Sequence, residues 1–194
     1  MHRDEDRARA RKMQLLEAAE ECFATYGFCG AGMSLLSKTA KMSIGNIYGY
    51  FENKDAIVCA LVEAQVQALQ EGLQTLFEET DDVVEILQTQ TRVQCQLKAG
   101  DKKIAIMFEI MAEMSRNPEV AKAMRLHDAS VKAQLMTIAA EYRPHWSAET
   151  LDARIEMLML AVSGIPLRLV MNPDLNIAGL VEEICTQIES LFAE

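Results

Sequence analysis

The residues of this chain best equipped for chemistry stand at positions 34–54, in the stretch SLLSKTAKMSIGNIYGYFENK. Asn46 carries an amide that can pair bidentately with an adenine edge, and Ile44 can touch a thymine methyl. Gly45 leaves the backbone bare enough for a partner to come close. Ser34, Ser43, Tyr48, Tyr50 and Lys54 add hydroxyls and a cation of the kind that hold phosphate oxygens. Lys54 also stands at the start of a following helix, where oriented N–H groups attract an anion. A face of small, amide and phenolic side chains ending in a cation suits a DNA groove and its flanking phosphates better than it suits water.

Other chemistry is poorly provided for. The histidines His2, His127 and His145 are far apart, and there is no HExxH, nucleophile elbow or phosphate-binding glycine loop. Glu109 and Glu113 lie one turn apart and could form an acid/base pair or half of a two-metal site. The metal reading needs a Glu-x-x-His partner, which the sequence lacks. A polar stripe on a buried helix is the simpler reading; facing a cavity, the two would favour a cationic ligand. No metal or cofactor is expected, and the chain does not read as an enzyme. Five cysteines (22, 29, 59, 95 and 185) are scattered without CxxC or Cys/His spacing. They read as free thiols in or near a core, with redox sensing as the alternative.

The elements that must position the 34–54 face follow from periodicity. Met33, Leu36, Ala40, Met42, Ile47 and Phe51 make the seam of two short helices, residues 33–40 and 44–50, that cross and share one buried face. A preceding helix is expected from about residue 8 to 26, with Leu15, Ala18, Ala19, Cys22 and Phe23 on one face and Gly27 as its stop. Asn53 caps a long helix to about residue 78. No Gly/Ser linker interrupts it, so it connects two domains and can pass movement between them. Five further helices are predicted: one from Thr80 or Asp81 to about residue 98, then 104–114, one opened by Asn117-Pro118 and running to Tyr142, one capped by Ser147, and one opened by Pro173-Asp174. With only four prolines and nine glycines among 194 residues, half of them apolar, an all-α protein with a real core is expected.

The net charge of −10 is unevenly distributed. Residues 1–56 hold eight Lys or Arg and eight Asp or Glu, so the whole acidic excess lies beyond them. Arg7, Arg9, Arg11 and Lys12 lead into the first helix as an arm that can lie along phosphates, while the acidic body discourages indiscriminate binding. The charged N-terminus is no secretion signal, and the longest apolar run, residues 157–167, is too short and interrupted to span a bilayer. A soluble, cytoplasmic protein without a membrane partner is expected.

Ala18-Ala19, Phe23, Gly27-Phe28, Leu36, Ala40, Ser43, Gly45, Ile47-Tyr48, Tyr50-Phe51 and Lys54 together resemble the N-terminal signature of the TetR family of bacterial transcriptional regulators. The likeness covers about residues 12–56 without gaps. Two positions depart from it. Gly32 replaces a threonine cap, and Lys41 replaces the turn glycine; a lysine at positive φ costs about 1 kcal/mol, so a slightly different turn is expected.

The resemblance implies a nine-helix protein with a helix-turn-helix domain at 1–56 and an effector-binding and dimerisation domain at 57–194. Its implied partners are a double-stranded DNA operator, a second copy of itself and an unidentified small-molecule effector. The implied function is that of a repressor released from a palindromic operator. Two late seams, Leu151, Ile155, Leu158 and Val162, then Ile177, Val181, Ile184 and Ile188, repeat by threes and fours. Periodicity alone leaves open whether they pack within one subunit or between two; the resemblance favours the dimer. Met107, Phe108, Met111 and Trp146 are candidates for lining an effector pocket, with a plastic core as the alternative. A helical protein–protein adaptor, using Tyr48 and Tyr50 as its interface, is the rival function.

Overall fold

The computed structural model describes residues 2–80 and 82–192, except the side chains of residues 2–6 and 66. Among the described residues the fold is all-α, with nine helices: α1 His2–Gly30, α2 Met33–Ala40, α3 Ile44–Tyr48, α4 Lys54–Glu79, α5 Val83–Gln94, α6 Lys102–Met114, α7 Pro118–Tyr142, α8 Ala148–Met171 and α9 Ile177–Phe192. They form two compact units, residues 1–65 with 101–126, and residues 66–100 with 127–194. Both α4 and α7 begin in the first unit and end in the second.

In the first unit, Leu15, Leu36, Ile47 and Ile57 are fully buried, drawing α1, α2, α3 and the start of α4 around one core that Ile106 and Ile110 of α6 join. The expected stop at Gly27 is present as a break inside α1. Its φ of 69° and ψ of 165° fall in a region that essentially only glycine occupies. Gly32 caps α2 without a side-chain bond. Ser43 caps α3, its hydroxyl accepting from the Asn46 N–H at 3.2 Å. Asn53 caps α4 by accepting from the Ala56 N–H at 2.8 Å. From α1, Gln14 donates to the Ala40 carbonyl at 2.8 Å, satisfying the last carbonyl of α2. The basic tract is part of α1 rather than a free arm: Arg11 donates to Gln14, and Lys12 stands 5.5 Å over the Phe51 ring.

In the second unit, Asp82 caps α5, in place of Thr80; Asp81 lies outside the described residues. The helix ends at Gln94, short of residue 98. Arg92 holds Glu182 through both Nε and Nη2 at 3.0 Å, and Gln88 donates to the Cys185 carbonyl at 2.9 Å, tying α5 to α9. Asn117 caps α7 and Ser147 caps α8 as their sequences predict. Lys132 pairs with Asp152 and Glu156, both at 2.7 Å, and joins α7 to α8. The ninth helix is opened by Asn176, which accepts from the Gly179 N–H at 3.1 Å, rather than by Pro173-Asp174.

The late apolar seams face largely inward. Leu151, Ile155, Leu158, Val181, Ile184 and Ile188 are buried within a single chain, and Val162 and Ile177 are half-buried. The six buried residues pack within the subunit. A different stripe of α8 faces outward: Met157, Leu160, Leu167 and Met171 are 58%, 71%, 51% and 70% exposed. With Ala153 and Gly164 they repeat by fours and threes along one face.

Candidate nucleic-acid interface

The α2–α3 pair is built so that one face of α3 is anchored and the other is free. Ile47 is completely buried, while Ile44, Gly45, Asn46 and Tyr48 on the same short helix are exposed. Ser43, just before them, and Ser34, near the start of α2, are exposed, and Tyr50 is half-buried against the core. Ser43 therefore has two possible uses: its hydroxyl fixes the first turn of α3 and can accept or donate outward. Gly45 has nothing within 4 Å of where a Cβ would stand, so packing does not demand a glycine there. A glycine inside a helix costs up to about 1 kcal/mol relative to alanine.

Lys54 opens α4, as expected, and its side chain reaches α1. Its Nζ donates to the Phe28 carbonyl at 2.5 Å and lies 4.1 Å over the Phe28 ring. The ammonium of this half-buried residue is thus turned onto α1. The Phe28 N–H is held by another helix: Glu109 of α6 accepts it at 2.7 Å. Both polar groups of Phe28 are bound by side chains, one from α4 and one from α6. The two Glu109 oxygens also stand 3.3 Å from the position a Cβ would take on Gly27. That close approach is a second reason for glycine at the break. Glu109 stands out in the sequence as a carboxylate on an otherwise apolar helix face, but its partner lies 81 positions away.

A profile described as bacterial regulatory proteins of the TetR family matches residues 15–61, which include α2 and α3. Over 148 residues the chain is 30% identical to the HTH-type transcriptional regulator UidR of Escherichia coli K12, covering 66% of this chain and 70% of that protein. The chain belongs to the TetR family. Its fold is also that of solved structures: Salmonella enterica GusR (22% identity, TM-score 0.72, 94% of this chain and 95% of that one) and Bacillus subtilis FadR in complex with stearoyl-CoA (20% identity, TM-score 0.78, 91% and 96%). As a TetR-family regulator, the protein is a DNA-binding transcription factor whose helix-turn-helix consists of α2, the turn at Lys41 and α3.

The residues considered for an effector pocket belong to both units of this regulator. Met107 and Phe108 are half-buried and Met111 is exposed on α6, in the first unit, whereas Trp146 belongs to the second. The Trp146 ring stacks on Phe192 at 5.9 Å and carries the Arg154 guanidinium 4.0 Å above it. A small cavity of about 10 Å³ in the first unit is lined instead by Phe23, Phe28, Val58, Ile106, Glu109, Ile110 and Glu113. That is room for about one water molecule, too small for an effector. Glu113, lining it, is buried and paired with Arg116 at 2.9 Å.

No cluster of metal-binding side chains occurs among the described residues, nor any helix long and apolar enough to cross a membrane. The five cysteines are unpaired. Burial pushes the Cys59 and Cys185 thiols up and the Cys95 thiol up to about 11, so these three remain protonated and poorly nucleophilic near neutral pH.

Proposed function

We propose that this TetR-family protein is a homodimeric repressor that occupies a palindromic operator and leaves it when a small molecule binds the effector-binding and dimerisation domain at 57–194. The observation that carries the reading is the division of α3 into a buried anchor, Ile47, and an exposed face of Ile44, Gly45, Asn46 and Tyr48. Asn46 and Ile44 read bases, Gly45 lets the backbone approach, and Ser34, Ser43, Tyr48 and Tyr50 hold phosphates. The exposed seam of α8 supports dimerisation, since stripes repeating by threes and fours pair helices. Two copies of α3 then enter successive major grooves only if the subunits keep one spacing. An effector with higher affinity for another spacing shifts the population away from DNA.

Release by an effector is further supported by three polar atoms of the second unit, His127 Nδ1, Gln134 Oε1 and Arg154 Nη1. They are buried without a hydrogen-bond partner among the described residues, and a polar ligand can satisfy such groups. FadR, which shares this fold, was solved with stearoyl-CoA, and that supports a small-molecule effector here.

Replacement at the reading face tests the assignment. Asn46→Ala is expected to cost about 1–3 kcal/mol on the cognate site and relax the preference at one base pair in each half-site. Gly45→Ala is expected to raise the stability of the free protein by up to about 1 kcal/mol while weakening DNA binding. Binding titrations on a panel of single-base operator variants, with thermal unfolding alongside, check both. Unchanged base preference in Asn46→Ala would remove α3 from the reading role.

A further inference from the structure

We propose that Lys41, the residue of the helix-turn-helix bend, is a phosphate-gripping residue kept at the expense of fold stability. Lys41 adopts φ 52° and ψ 41°, the left-handed conformation, and among the described residues no other non-glycine has positive φ. The bend is the same as one closed by glycine: the Lys41 N–H donates to the Lys38 carbonyl at 3.3 Å and the Met42 N–H to the Ser37 carbonyl at 3.1 Å. This pair of bonds ends a helix with a left-handed residue, where a Cβ is unfavourable and glycine is preferred. The expectation that lysine would alter the turn is thus corrected: the turn stays, and the lysine takes the strained conformation.

Nothing in the fold accounts for the choice. Lys41 is exposed, and among the described residues its ammonium has neither an ion pair nor a hydrogen bond. It stands two residues before the Ser43 cap of α3, whereas the cation expected to hold phosphate, Lys54, is turned onto Phe28. Four residues on, Gly45 shows the inverse choice: a glycine in a helix where a side chain would fit freely. Fold stability alone would place glycine at 41 and a larger residue at 45. A DNA surface against this face explains both, because it rewards a positive charge at its edge and a bare backbone at its centre. Backbone strain retained at a functional position is the general pattern.

The assignment rests on DNA binding through α3, and opposite signs in two measurements test it. Full-length Lys41→Gly, Lys41→Asn and Lys41→Arg proteins are compared with wild type by thermal unfolding and by titration onto a random-sequence duplex and an operator recovered by selection. Lys41→Gly is expected to raise Tm by about 2–4 °C. On both duplexes its salt slope falls in magnitude by about 0.9 per subunit, with a similar affinity loss for every sequence. Lys41→Asn, which tolerates the left-handed conformation without charge, shows the same slope, and Lys41→Arg keeps the wild-type one. Unchanged affinity and slope in Lys41→Gly and Lys41→Asn overturn the assignment while leaving α3 as the reader. Wild-type protein that binds neither duplex overturns both.

Discussion

Leu160→Glu is expected to convert the protein to monomers at micromolar concentration while leaving its helical content intact. Leu160 is 71% exposed in the single chain, so a carboxylate there is solvated and harmless until a second α8 covers it. Covered, an unpaired charge costs several kcal/mol, enough to separate the subunits. Operator affinity should fall by about 10²–10⁴-fold, the gain that tethering two half-site readers provides. Leu158→Glu, two positions away on the inward face, should instead unfold the second unit, because Leu158 is buried within the chain. Sedimentation and circular dichroism separate the two outcomes. A Leu160→Glu protein that remained a dimer would remove the α8 seam from the interface.

Glu109→Ala should destabilise the first unit by about 1.5–3 kcal/mol, since the Phe28 N–H would lose a charged acceptor at a position where Phe28 itself is buried. Glu109→Gln keeps an acceptor oxygen and should recover much of the loss. Gly27→Ala should cost about 1–3 kcal/mol through its backbone conformation, and more because the added Cβ would press on both Glu109 oxygens. Hydrogen exchange at the Phe28 amide reads the contact directly: Glu109→Ala should accelerate it beyond the change in unfolding free energy. Equal protection in wild type and Glu109→Ala would mean that the carboxylate does not hold this peptide. In the proposed regulation, α6 belongs to the effector-responsive part of the chain and Phe28 to the helix that supports α2 and α3. Weakening their bond should therefore blunt release from DNA more than DNA binding itself.

What the sequence made legible was mostly local. Asn53, Asn117 and Ser147 were readable as caps because each side chain bonds an N–H only two or three residues on. The bend at Gly27 and the buried seam of α2 and α3 depended on short-range periodicity in the same way. The Glu109–Phe28 bond joins residues 81 positions apart, and no pattern along the chain encodes that distance. The direction of Lys54 was hidden for the same reason, since its partner carbonyl lies on α1. On α8 the difficulty was ambiguity: Leu151, Ile155 and Leu158 form one apolar stripe and Met157, Leu160 and Leu167 another, both repeating by threes and fours. Periodicity cannot say which stripe the rest of the chain covers; only the packed structure does.

The most direct test of recognition by a dimer through α3 is selection of full-length protein on a random-sequence duplex pool, followed by titration of the recovered DNA at about 50–200 mM salt. Recognition by α3 predicts an enriched two-fold symmetric sequence whose half-sites lie about one helical turn, or a multiple of it, apart. It also predicts that log K falls linearly with log salt, at about 0.9 per neutralised phosphate. Absence of any symmetric sequence, together with affinity indifferent to salt, would contradict it and favour a protein-binding adaptor.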